Sequence, residues 1–347
     1  MSFLDGLFGT TERTASAVLI DVGAESVAGA YVCATGNALP EVLYTCRLPV
    51  KAHSGEHRTA AMVRALQILG DTLVREGAPV LARTTGTGSA DSIVVSIDAP
   101  WQETSVRTEH FEQNAPFVFT KKLVVETLKK TGLTAEGKLL VDESIIGTIL
   151  NGYETRDPYG KIAHRATVVV LTSFIDTAVA KSVSETLQSI YHTKHILPIA
   201  GSSLHCQAVH LVFPHERDAL IFDATGPLTT IALLRRGLFV SISEVPAATS
   251  LAEWMENVVT ELADVGKRYP LPRIIFLVAR EPEVSSLSKK LASANLGGLW
   301  LSDSQPKIVS VRSDHIVGLV RQVTMAPPDF ILLLLTLFWW HSLEDEG

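Results

Sequence analysis

Several things are scarce in this chain, and each scarcity excludes a class of protein. Of 347 residues only three are cysteine (Cys33, Cys46, Cys206), an odd number with no CxxC spacing. A disulfide framework and a thiolate metal site are therefore not expected, which fits a reducing cytoplasm. Basic charge is not in excess: 30 Lys and Arg stand against 37 Asp and Glu, a formal net charge of −7 with no basic cluster. Nucleic acid is thereby excluded as the expected main partner. The opening MSFLDGLFGTTERT has neither a basic n-region nor a long apolar core, so no secretory signal is read there. A bilayer span of ~20 apolar residues is also missing. The longest apolar run, FILLLLTLFWW at 330–340, is about half that length.

The signatures of common enzymes are equally absent. TTGTGS (84–89) is rich in glycine, but no Lys-Ser/Thr follows it and it precedes a strand rather than a helix. No GxSxG elbow occurs. Five histidines crowd 192–215 (His192, His195, His205, His210, His215), yet none forms an i, i+4 pair with a suitably spaced carboxylate. They read as ordinary surface or core residues.

What is present is apolar, regular and long. A hydrophobic fraction of 46% is too high for a disordered chain, and 347 residues suit two domains or lobes. SAVLIDVGAESVAGAYV (16–32) reads as a strand ending in Asp21, a turn at Gly23 and a returning strand, and EVLYTCRLPV (41–50) as a third. An amphipathic helix over 55–76 places Ala61, Met62, Ala65, Leu66, Leu69 and Leu73 on one face. The pattern then changes at 102. TSVRTEHFEQ, TKKLVVETLKKTG, KLLVDESIIGTILNGY and RATVVVLTSFI predict a strand–helix–strand–strand module ending at 175, after which an α/β rhythm returns. The 330–340 run, with Asp329 as N-cap, is expected to be a buried terminal helix, with an interfacial membrane anchor as the alternative, because a helix apolar on every side is usually covered.

The second strong signal is DALIFDATGPLTTIALLRRGLFVSISEVPAATS (218–250). AVLID (17–21) and ALIFD (219–223) share four apolar residues running into an aspartate, a tight turn and a departing strand. Asp223 follows Asp21 by 202 positions (223 less 21). Asp-x-Gly alone is ordinary hairpin chemistry. Two copies, each opening a lobe, are an architecture. Backbone N–H groups at such a tip can hold phosphate oxygens, and the carboxylate can hold Mg²⁺ through water.

In this order and spacing the motifs resemble the actin-like ATPases, and among them the FtsA/PilM group of cell-division and type IV pilus assembly proteins. LIDVGAESVAGAYV is similar to the family's first phosphate loop, and LIFDATGPLTTIALLRRGLFVSISEVPAATSLAE to its second. IIGTILNGYETRDPYGK resembles the inserted subdomain of FtsA and PilM, and RIIFLVAREPEVSSL takes the place of the adenosine loop. The likeness covers about 14–345. It implies an α/β, two-lobed actin-like (RNase H-like) ATPase fold with an inserted strand–helix–strand–strand subdomain. The expected division is a first lobe from 14–101 and 176–216, the insertion at 102–175, and a second lobe, with a reduced nucleotide-covering subdomain, from 217–347. Any ATP and Mg²⁺ would be held between two facing loops. Asp21 and Asp223 would hold the metal, Gly23, Ala24, Thr225 and Gly226 the phosphates, and Ala279, Arg280 and Glu281 would line the base.

Departures from the family pattern weaken that site. Ala24 stands where relatives carry Ser or Thr. Asp223 is followed by Ala-Thr-Gly-Pro-Leu, in which Pro227 has no N–H to donate. The adenosine loop lacks paired glycines, and Glu281 adds a negative charge. The expectation is therefore a cytoplasmic scaffold or adaptor at the inner face of the cell membrane. It would bind a peptide tail of a membrane, division or pilus protein, self-associate, make peripheral membrane contact, and have a weakened or lost ATP site. The alternative is a working Mg-ATPase, with Glu244 or Glu143 orienting the attacking water. A small-molecule kinase is a weaker third reading, because its larger substrate subdomain is missing.

Overall fold

The computed structural model describes residues 14–345 except 37, 131–134, 156, 247, 282, 295 and 301–304. The apolar stripe Phe3, Leu4, Leu7 and Phe8 lies outside the described residues. In chain order the elements begin with strands β1 (Thr14–Val22), β2 (Ser26–Thr35) and β3 (Glu41–Pro49). Helices α1 (Arg58–Thr72) and α2 (Ala78–Thr85), joined by a π-helical turn over Leu73–Gly77, lead to β4 (Ser92–Ile97). The next elements are β5 (Gln102–Val118), α3 (Lys121–Lys130), β6 (Lys138–Leu150), β7 (Tyr153–Glu154) and β8 (Ile162–Asp176). Next come α4 (Thr177–Tyr191), β9 (Ile196–Ala200) and α5 (Gly201–Val212), followed by β10 (Ala219–Ala224), β11 (Thr229–Arg235) and β12 (Leu238–Val245). The chain closes with α6 (Leu251–Arg268), β13 (Ile274–Ala279), α7 (Glu283–Ser293), β14 (Lys307–Ser310), β15 (Arg321–Gln322) and α8 (Phe330–Asp345).

These elements form two compact units. One comprises 1–96, 182–198 and 313–347, and the other 97–181 and 199–312. The first contains most of a six-stranded sheet of order β15-β3-β2-β1-β4-β9. Its α1 buries Ala61, Met62, Ala65, Leu66 and Leu69, and the π turn buries Leu73, together the face that periodicity marked. The helix runs on beyond its expected end, through the π turn into α2. Gly77 sits at that turn because a Cβ there would come within 2.5 Å of the Tyr31 ring.

Residues 313–347, grouped by sequence with the second lobe, return instead to the first unit. There β15 pairs parallel with β3, and α8 packs on β1, β2 and β3. The expected burial of α8 holds: Ile331–Leu335, Leu337 and Trp339 are buried, and the Thr336 hydroxyl donates to the Leu332 carbonyl at 2.6 Å. Asp329 caps the helix, its Oδ1 accepting from the Leu332 N–H at 3.2 Å. No helix among the described residues is long and apolar enough to cross a membrane.

The second unit holds two sheets. One has the order β12-β11-β10-β13-β14, with β10 and β13 parallel and α6 and α7 closing a core around Phe222, Leu262 and Leu277. Its first four strands repeat the order β3-β2-β1-β4. The repeat extends to register: Asp21 faces Ala28 across β1–β2, and Asp223 faces Thr230 across β10–β11. Both pairs are seven residues apart, so the two loops have equal length.

The other sheet is the expected insertion, of order β5-β8-β6-β7. Helix α3 covers one face, burying Val124 and Leu128 against Phe111, Phe119 and Val168. The Phe111 and Phe119 rings meet edge to face at 5.9 Å.

Because α8 is core, Leu334→Ala is expected to cost about 2–5 kcal/mol of unfolding free energy, read from a urea melt. An unchanged melt would mean that the helix is not part of the packed unit.

Candidate functional site

The first loop belongs to the first unit. Asp21, at the end of β1, is fully buried, and its carboxylate lies 3.0 Å from Nη2 of Arg47 on β3. The same guanidinium donates to Asp329 through Nε at 2.6 Å and Nη2 at 2.9 Å, and to the Ser26 hydroxyl through Nη1 at 2.8 Å. Burial alone would lower the Arg47 pKa. The carboxylates of Asp329 and Asp21 outweigh it and hold the guanidinium above its ordinary value. Asp21 therefore already has an internal cation. The Gly23 N–H is also used, donating to the Ser26 carbonyl at 3.0 Å to close the hairpin. Ala24 is buried.

The second loop, in the other unit, is engaged in the same way by different chemistry. Asp223, at the end of the buried strand β10, is 5% exposed. Its Oδ2 lies 2.8 Å from Nδ1 of His205, a fully buried residue of α5. Its Oδ1 accepts from the Thr225 N–H at 3.1 Å and the Thr225 hydroxyl at 2.6 Å. Burial would raise this carboxyl, but His205 and the Thr225 bonds prevail and hold it below the ordinary aspartate value. Cys206, also fully buried beside Asp223, has its thiol pushed well up by burial, so it is not a thiolate nucleophile.

A third pair lies in the same unit. Asp98 follows β4 and is 3% exposed, and Arg280 at the end of β13 reaches it at 3.4 Å. Arg280 was expected to line a base. It reaches a buried carboxylate that sequence reasoning did not single out. Glu281 is exposed, and Ala279 is buried in register with Ala224. Gly226 opens a 310 Å³ hollow with Pro227, Trp254 and Glu283, and no basic residue lines it among the described residues.

The two candidates for a water-orienting carboxylate lie elsewhere. Glu143 is on β6 of the insertion, paired with Arg107 at 2.5 Å. Glu244, on β12, is half-buried, and its pKa is raised by burial and by Glu103 nearby.

Of the groups expected to hold a metal-bound triphosphate, two carboxylates and two backbone N–H donors are engaged by the chain's own atoms. His205 could have been suspected from sequence only as one of five clustered histidines. Arg47 carried no signal, because its partners lie 26 residues upstream and 282 downstream.

No family model matches the chain, and no curated protein does. Solved structures do. The PilM–PilN type IV pilus biogenesis complex superposes with a TM-score of 0.57 at 13% identity, over 96% of this chain and 99% of that one. The fold is that of the actin-like ATPases. A Bacteroides thetaiotaomicron protein of actin-like ATPase fold and unknown function is more distant, at TM-score 0.45 and 11% identity, over 97% of this chain and 98% of that one. The likeness to PilM runs the length of the chain and includes the insertion.

Two outcomes follow from the pairings. Arg47→Met strands two carboxylates, one of them fully buried, and is expected to cost about 3–5 kcal/mol in a denaturant melt. Asp223 has a folded pKa below the unfolded value of about 3.9, so its contribution is complete above that pH and lost as pH falls through the lower folded value. Urea midpoints between pH 5 and 2 are expected to fall more steeply for the native chain than for Asp223→Asn. Parallel curves would mean that His205 and Thr225 do not hold the carboxylate.

Proposed function

We propose that this chain is a protein-binding scaffold on an actin-like fold, with its ATP site lost. In this reading it works in the cytoplasm at the inner face of the membrane, linking a membrane-associated pilus-assembly or cell-division machinery to partner proteins. It would take a peptide tail of a membrane protein and associate with copies of itself.

One observation carries the proposal: both aspartates of the duplicated loops are buried and already paired, Asp21 with Arg47 and Asp223 with His205. A metal would have to displace a guanidinium held by three other contacts. Phosphate would have to compete for the Gly23 and Thr225 N–H groups, and Pro227 offers none. A solved structure similar to this chain is a complex of PilM with a protein, PilN, which supports a protein partner rather than a small substrate.

The test is thermal unfolding with and without millimolar Mg-ATP. A ligand at ~100 times its dissociation constant stabilises by about 2.7 kcal/mol, enough to move a midpoint by several degrees. No shift is expected here. A shift of that size, abolished by Asp21→Asn, would overturn the scaffold reading and restore the Mg-ATPase.

A further inference from the structure

Strand β12 is the edge of its sheet, and within the second unit it lies against β5 and β6 of the insertion. Glu244 stands on β12 at that contact. We infer that Glu244 is a pH-sensitive latch: a proton taken up by its carboxyl fastens β12 to β5, and loss of the proton loosens them. The inference is independent of the scaffold reading, since it concerns how the insertion is held and not what the chain binds.

Three observations carry it. The first is an unfilled acceptor. The Glu244 carboxylate accepts from the Thr104 N–H of β5, but its Oε1 is buried and has no hydrogen-bond partner among the described residues. An ionised oxygen buried without a donor is costly. A proton on the group removes the charge and leaves a carbonyl oxygen to keep the Thr104 bond.

The second is the surrounding charge. On β5, Glu103 repels Glu244, and Arg107 is paired with Glu109 and Glu143. On β6, Lys138 is paired with Glu103, while Asp142 accepts from the Ser144 and Ser203 hydroxyls. On α5, His205 is held by Asp223, which lies in the same cross-strand row as Glu244, with Thr230 between them. α6 packs on the opposite face of the sheet, where Val245 and Trp254 are buried together. The nearby cations are thus committed elsewhere, and Glu244 has neither an ion pair nor a donor for its buried oxygen among the described residues.

The third is which side can yield. The Thr104 hydroxyl donates to Gln102 at 3.1 Å and accepts from Ser202 at 3.0 Å, all three residues being buried. β5 is therefore fixed at this point, and β12, an edge strand, is the side that moves.

Burial and Glu103 hold the Glu244 carboxyl above its ordinary value. A group of raised folded pKa contributes stability that is complete below the unfolded value, about 4.3, and lost as pH rises through the folded one. Asp223 acts with the opposite sign and at lower pH, so the two are separable.

Thermal midpoints of the native chain and Glu244→Gln would be compared from pH 4.5 to 8. Amide exchange at Thr104 would be followed in the same buffers and corrected for its intrinsic pH dependence. The two midpoints are expected to coincide at pH 4.5, and the variant to melt roughly 2–4 °C above the native chain at pH 8. Asp142, also raised by burial, is common to both and cancels. Protection of Thr104 should fall with rising pH in the native chain and stay level in Glu244→Gln. Glu103→Gln, at an exposed site, frees Lys138 for Glu244 and should flatten the native pH profile. Parallel midpoint curves, a Glu244→Gln variant less stable than the native chain at pH 8, or native Thr104 protection that ignores pH would overturn the inference.

Discussion

One guanidinium organises the first unit. Arg47 lies at the meeting point of β1, β3 and the start of α8, and binds Asp21, Ser26 and Asp329 together. Each carboxylate is costly to bury without a counter-charge, and planar guanidinium geometry serves several acceptors where an ammonium would not. Asp329 is also the N-cap of α8. The last helix of the chain is thus tied to the first strand through a single side chain, and α8 can present an apolar surface all round because β1, β2 and β3 receive it.

The second unit solves the same problem without that arginine. Its strand-end carboxylate, Asp223, uses a histidine from α5 and its own loop, and Asp98 uses Arg280. The two loops share length and register, so the duplicated backbone is preserved while the groups satisfying each aspartate differ. A loop whose N–H groups fold back on its own residues is rigid and internally complete. A shared loop backbone can thus be kept while the side chains around it differ, which is the sense in which fold does not fix function.

The insertion is built from long antiparallel strands whose register is fixed by an alternating apolar face over α3. That register shifts at a bulge between Ile145 and Gly147, where β6 packs against Leu238 of the β11–β12 hairpin.

Much of this was legible in the sequence. The duplicated apolar-run-to-aspartate motif, the face of α1, the strand–helix–strand–strand insertion and the burial of α8 all follow from periodicity and from the cost of exposing apolar surface, which are local properties. The departures from the family's phosphate loops were visible at Ala24 and Pro227. Four things were not. Arg47 with Asp329, His205 with Asp223 and Arg280 with Asp98 join residues 282, 18 and 182 positions apart, and no local pattern encodes which charges meet. The return of 313–347 to the first sheet was hidden for the same reason, since strand β15 is only two residues long. Sequence determined which segments form strands and helices, because those depend on near neighbours. Only the tertiary structure decided that the two duplicated aspartates are paired inside the chain, because that depends on which distant side chain arrives beside them.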